Sequence, residues 1–480
     1  MSDPIPWLIL LPLLWGSLSF LLGVRRGGRL AVACLAIHLA LVALLVGQAV
    51  AEGGRYYAVG GWGAPLGIDL YVDGLASVML LLTHVVILPL GIYARYYFSH
   101  NVESVGYFWP MLGFLLAAMN TLFMSADLFN IYVTLELLGL AAVGLVGMAG
   151  KTESILAAIR YLLVTLLGSG VYLAGVALIY GSYGSVSLAV LEPLIENEVS
   201  AAVFLAAILM LVGLLLKTAL FPFHFWLPSA HGGALTPVSA LLSALVIKAS
   251  FYLILRMWLG LYAPLATIQT AQLLGGLGAV AILWGSIMAF NQTRLKMLVA
   301  YSTVAQIGYF FLLFPLITEV GSEAAGIAMQ GGVIQLVAHA LAKAAMFAAA
   351  GVMILSVGKD DIALLSGISR RLPLTLFTFA LAGVTLMGLP PTGGFIAKWL
   401  LISSAVISGQ WSWVVVMILG GLLSAGYVFK VLRQAFLPAA AEMKFSPVNP
   451  PLEWPAFLLA FISLSLSFAS GNVLNILGAG

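Results

Sequence analysis

About fourteen stretches of this chain are long and apolar enough to cross a bilayer, since a spanning helix needs about 20 mostly apolar residues. They fall near 5–23, 30–49, 70–94, 107–125, 128–148, 155–180, 203–222, 236–258, 267–289, 297–317, 327–356, 373–406, 412–436 and 452–470. Lipid offers no hydrogen bonds, so only helices and closed barrels can span it. Barrel strands alternate apolar and polar residues, whereas these stretches are apolar on every side. The chain is therefore expected to be an all-α polytopic membrane protein. Its composition agrees: 62% of residues are hydrophobic and 8% charged, against about 25% charged in a soluble domain. The opening "MSDPIPWLILLPLLWGSLSFLLG" lacks a basic leader region, and Arg25, Arg26 and Arg29 follow its apolar run. That order predicts a first spanning helix instead of a cleaved signal.

A single cysteine, Cys34, excludes a disulfide framework, a cysteine-ligated zinc and an iron–sulfur cluster. No phosphate-binding glycine loop is present, and a net charge of +3 gives no footprint for nucleic acid. No cofactor and no metal are expected. Fourteen of the twenty lysines and arginines, among them Lys296 and Lys444, fall in or beside connections after odd-numbered segments. Arg55 and Arg256 alone fall on the other side, with the acids Glu192, Glu196, Glu198, Glu319 and Glu323. Basic loops stay cytoplasmic, so both termini are expected on the outer side of a bacterial-type cell membrane.

Four lysines remain, all inside apolar segments: Lys217, Lys248, Lys343 and Lys398. Glu136 is equally deep, and His339 stands four residues before Lys343, on the same helical face. An ionisable group in a membrane helix costs about 2.5–3.5 kcal/mol on insertion scales and marks function by default. Each has a plainer reading: a lysine near a helix end can snorkel to the headgroups, and a histidine can simply be packed. Packing suffices for His38, His84 and His100, and competes for His224 and His231. Asp127, near a segment end, reads as a loop acid or an entrance residue. So many independent accidents are improbable together, and the set reads as a buried polar chain.

Two segments are broken. In "LLLKTALFPFHFWLP" Lys217 is followed by Pro222 and Pro228; in "GLPPTGGFIAKWLL" Pro390 and Pro391 stop a helix, Gly393 and Gly394 are expected to loosen the backbone, and Lys398 follows. Such backbone survives at membrane depth only where protein buries it or water lines it. The breaks lie five segments apart, which predicts two five-helix repeats, segments 4–8 and 9–13, of opposite orientation. The expected divisions are 1–106, 107–260, 261–436 and 437–480.

With these pieces the chain resembles the antiporter-like proton-translocating subunits of respiratory complex I, membrane-bound hydrogenases and Mrp-type cation/proton antiporters. The likeness runs from about residue 60 to 435. It rests on "ADLFNIYVTLELLGLAA", "LLLKTALFPFHFWLPSAHGGALTPVSALLSALVIKASFYLILR", "RLKMLVAYSTVAQIGY", "HALAKAAMFAAAG" and "GLPPTGGFIAKWLL", in that order. The resemblance implies that Glu136 pairs with Lys217, that Lys248 and Lys343 relay protons, and that Lys398 ends the path. Ser229 stands where the family usually has an acid. It also implies other membrane subunits as partners, and protons with sodium or potassium as cargo. The stretch 60–82 looks like the D subunits of Mrp antiporters. A lysine at 398, and an end at "NVLNILGAG" without a long lateral helix, set the chain apart from parts of the complex I branch.

Desolvation favours a neutral amine and a nearby carboxylate favours the ammonium, so the expected mechanism has Glu136 toggling Lys217, whose proton passes to Lys248, His339, Lys343 and Lys398. A complex I or hydrogenase subunit is the alternative. A stand-alone solute transporter would not need lysines on four helices. Haem binding would need paired histidines, which segments 1–3 offer only as His38 and His84. Any enzyme activity would then belong to a surrounding complex and not to this chain.

Overall fold

A computed structural model describes residues 3–100, 106–197, 199–318, 321–439 and 445–478. Glu198, Glu319 and Lys444 lie outside them. The chain begins with α1 (Pro4–Glu52), which reverses at Gly23 (φ 70°, ψ 177°) and so makes two crossings. The turn is tight enough that a Cβ on Gly27 would stand 2.9 Å from Ser19. A two-stranded antiparallel hairpin follows, β1 (Arg55–Ala58) and β2 (Asp69–Val72). Then come α2 (Gly74–Tyr97), α3 (Phe108–Met124), α4 (Leu128–Gly147) and α5 (Thr152–Tyr183). A short α6 (Leu188–Asn197) leads into α7 (Ala201–Thr218).

The seventh crossing is interrupted after α7 and resumes as α8 (Leu227–Gly233). The eighth is built from α9 (Thr236–Leu241), a π turn at Leu242–Val246, and α10 (Ile247–Leu259). The second half runs through α11 (Ile268–Asn291), α12 (Leu295–Phe311), α13 (Leu313–Ile317) and α14 (Glu323–Val357). After a one-turn α15 (Ile368–Arg371), the twelfth crossing is split into α16 (Pro373–Met387) and α17 (Gly393–Ile407). α18 (Trp411–Phe436) and α19 (Glu453–Leu477) complete the bundle.

Among the described residues eleven helical stretches are long and apolar enough to span. The doubling of α1, the shorter α3 and the α16–α17 pair bring the crossings to the fourteen expected. The two breaks lie five crossings apart, after α7 and after α16.

Two elements form the interior. The best apolar stretch of the α9–α10 crossing is entirely buried, and α14 is buried along nearly its whole middle. They carry Lys248 and Lys343. Tight crossings hold the frame together: a Cβ on Gly213 of α7 would stand 2.4 Å from the Gly168 carbonyl of α5. Small residues let membrane helices approach this closely where no hydrophobic drive pairs them.

Candidate functional site

At the first break α7 ends with Ala219 in the left-handed region (φ 57°), an uncommon conformation for a residue with a side chain. The last carbonyls of a helix lack internal partners. Here the Trp226 indole donates to the Leu216 carbonyl at 3.0 Å and so ties the break back onto α7. Lys217, partly buried, turns sideways: its Nζ donates to Thr165 Oγ1 at 2.6 Å and to the Leu135 carbonyl at 3.4 Å. Glu136 is the next residue along α4 and is half-buried. It lies within electrostatic reach of Lys217, but the two form no ion pair among the described residues; the expected direct contact is replaced by the hydroxyl and the carbonyl. A cavity of about 20 Å³ joins Lys217 to Val246 and Ser250 of the next crossing, and a space of that size accommodates one water.

The π turn sits one residue before α10 starts and changes what Lys248 can reach. Its extra residue per turn leaves the Ser243 carbonyl open, and Lys248 Nζ donates to it at 2.5 Å. Such π turns recur at functional sites. From there polar groups of successive residues lead onward. Ser243 Oγ lies 2.9 Å from Thr303 Oγ1, and Thr303 donates to the Val299 carbonyl at 3.0 Å. Lys343 Nζ donates to the same carbonyl at 3.0 Å and to Ser302 Oγ. The Tyr427 hydroxyl faces Ser302 and Gln306 and donates to Ser424 at 3.1 Å. Gln306 also takes a hydrogen bond from Gln335 and gives one to the Leu386 carbonyl at 3.2 Å.

The second break receives the end of this line. Lys398 folds back from α17 and donates to the terminal carbonyls of α16, Leu386 at 2.8 Å and Met387 at 3.1 Å. Its ammonium also lies over the Tyr309 ring, 4.3 Å from the centroid. The break thus supplies acceptors that an unbroken helix would have consumed. Lys248, Lys343 and Lys398 are all buried, so snorkelling explains none of them. The ion pairs among the described residues involve Arg55, Arg256 and Arg294 only. The interior amines are therefore held by neutral oxygens, which accept more strongly from an ammonium but also from a neutral amine.

His339 is buried with neither ring nitrogen bonded, edge-on to Phe310, within reach of Lys248, Lys343 and Lys398. His231 is likewise buried and unbonded, stacked on Phe347 near Lys296, Lys343 and Lys248. His224 is partly buried and stacks on Phe221, away from this line of hydrogen bonds. His38 and His84, on α1 and α2, do come together, with parallel rings 6.0 Å apart, though each spends Nδ1 on a carbonyl of its own helix.

Three expectations need correction. Lys296 is no loop residue: it is buried, and its ammonium donates to the Ala234 and Gly232 carbonyls at the end of α8. The hydropathy of its flank, next to Arg294, hid this; its i+4 spacing from the buried Ala300 on α12 is the signal that could have found it. Gly393 and Gly394 do not loosen the backbone. They open α17 behind the Thr392 cap, and their bareness lets α17 press on its neighbours: a Cβ on Gly394 would lie 2.0 Å from the Thr385 carbonyl. Asp127 is no solvated loop acid: it is buried, its carboxylate caps α4 by accepting from Asn130 N at 2.7 Å, and burial pushes its carboxyl up. Asp127→Ala is expected to cost about 1 kcal/mol of stability, and Asp127→Asn little, because asparagine caps as well. Thermal unfolding of the two variants checks this, and lost transport in a stable asparagine variant would show a role beyond the cap.

Residues 125–424 match the family described as NADH:quinone oxidoreductase/Mrp antiporter, transmembrane region. The chain is 36% identical to the N subunit of NADH-quinone oxidoreductase from Desulforudis audaxviator (strain MP104C), over 96% of this chain and 93% of that one. It is 28% identical to the D subunit of the Na(+)/H(+) antiporter from Bacillus subtilis (strain 168), over 97% and 94% respectively. Its fold matches a chain in the structure of the Mrp complex from Dietzia sp. DQ12-45-1b, with TM-score 0.89, 24% identity, and coverage of 100% of this chain and 97% of that one.

Proposed function

Given that the chain belongs to the NADH:quinone oxidoreductase/Mrp antiporter transmembrane family, we propose that it moves protons across the membrane along its buried amines, as one subunit of a larger membrane complex. The observation that carries this reading is the line of polar groups from Lys248 to Lys398: hydrogen bonds run from Lys248 through Ser243, Thr303, Val299 and Lys343 to Ser302, and from Ser424 through Gln306 to the Leu386 carbonyl that Lys398 shares, with Tyr427 on Ser424 between the two runs. A permanently charged ammonium in a dry interior needs a carboxylate partner. Amines held by hydroxyls and carbonyls can gain and lose a proton without losing their partners. Glu136, set back from Lys217, acts on it through the field and not through contact. Its charge state decides whether Lys217 holds a proton or passes it across the small cavity towards Lys248. His339, buried among three lysines but bonded to none of them, stands beside this line and not in it.

The complex it serves is a cation/proton antiporter of Mrp type, with this chain in the place of the D subunit, the basic ends of its helices in the cytoplasm and its termini outside. The 36% identity to an N subunit favours a second reading, a proton-pumping subunit of a quinone-reducing complex. Identification of the proteins that co-purify with the chain separates the two.

Lys217→Ala and Glu136→Gln are each expected to slow proton movement by about 100-fold in vesicles containing the assembled complex, the scale of a lost proton-transfer group. Assembly, read on native gels, should persist. Wild-type proton flux in either variant would remove that residue from the path.

A further inference from the structure

On the basic face of the bundle a cavity of about 790 Å³ opens between the end of α11 and the last three turns of α18. Its walls are apolar, with Phe290, Phe429 and Phe436 all exposed. Its floor is bare: a Cβ on Gly426 would meet only the Phe290 ring, at 3.6 Å. At the mouth stands Lys430, whose Nζ donates to the Phe290 and Gln292 carbonyls at 2.7 Å each. Two of its three N–H groups are thus used to close the α11 terminus and one is left. Arg433 follows three residues later on the same face, exposed and outside every ion pair among the described residues. The Leu437 carbonyl at the rim accepts from Gly367 N at 2.7 Å, which draws in the start of α15 with the exposed Arg370 and Arg371.

We infer that this groove holds one anionic phospholipid, its phosphate on Arg433 and Lys430 and an acyl chain along Phe290 and Phe429. Charge and apolarity point to the same occupant. A free anion has no use for aromatic walls, and a zwitterionic lipid, though its phosphate fits the guanidinium fork, brings a cationic headgroup beside Arg433 and Lys430, which favour net negative charge. Basic pockets between spanning helices on the cytoplasmic side are suited to such headgroups. The other face of α18 carries Ser424 and Tyr427 into the polar line, and Val428 presses on Gly383 of α16. A lipid seated here braces the helix that supports the second break.

Native mass spectrometry of the complex, purified from its own membrane and stripped of loosely held lipid, tests this. One anionic phospholipid per copy of this chain should remain. Arg433→Gln, at an exposed site, and Gly426→Leu, which fills the floor, should each lower its retention about tenfold, as expected for a lost charged contact. Phosphatidylglycerol should refill the stripped wild type, while phosphatidylcholine and inorganic phosphate should neither refill nor displace it. The inference fails if no lipid remains, if both variants retain it as well as wild type, if inorganic phosphate displaces it, or if a density map of the complex shows a partner's helix in the groove.

Discussion

Lys343→Ala is expected to reduce proton movement by about 100-fold or more, on the scale of removing a positioned proton-transfer group, while the subunit still assembles. Lys343 joins the two halves of the polar line. On one side it shares the Val299 carbonyl with Thr303, which leads back to Lys248; on the other it reaches Ser302 and so Tyr427 and Gln306. Alanine removes a proton carrier that no neighbour can replace, because His339 has no bonded partner through which to pass a proton. Folding is spared because Val299 O keeps its bonds from Ser302 and Thr303. Proton uptake by vesicles, with exposed Lys359→Ala as the control, measures the effect. Wild-type uptake in the Lys343 variant would mean that the line is structural only.

Gly394→Val is expected to destabilise the subunit by about 3 kcal/mol, the upper end of overpacking costs, and to prevent assembly. The first added carbon would stand 2.0 Å from the Thr385 carbonyl, which is backbone and cannot swing aside. α17 would have to leave α16, and Lys398 would lose the Leu386 and Met387 carbonyls that hold its amine. Gly326→Ala on α14, where nothing lies within 4 Å, should be neutral. Fluorescence-detected gel filtration across a temperature series compares the two, and a Gly394 variant as stable as wild type would refute the packing role.

The charged groups were legible in the sequence, and their partners were not. Lys217, Lys248, Lys343 and Lys398 stand out because a charge within an apolar crossing is costly whatever surrounds it. Thr165, Val299, Ser302 and Leu386, which hold those amines, are ordinary residues that acquire a role from a helix packed beside them. Lys296 passed for a loop residue because the chain near it is charged; only the approach of the α8 end reveals it as buried. The prolines at 222, 228, 390 and 391 located both breaks, but not that Gly394 serves contact instead of bending.

By itself, the sequence settled how many times the chain crosses the membrane, where two crossings break and that Lys217, Lys248, Lys343 and Lys398 lie within crossings, since hydropathy, proline and charge act along the chain. The tertiary structure alone decided which oxygens meet each amine, that Glu136 stands off from Lys217, and that a π turn aims Lys248 at Ser243. Hydrogen bonds at these distances depend on how helices cross, and the crossing is set by side-chain packing between segments far apart in the chain.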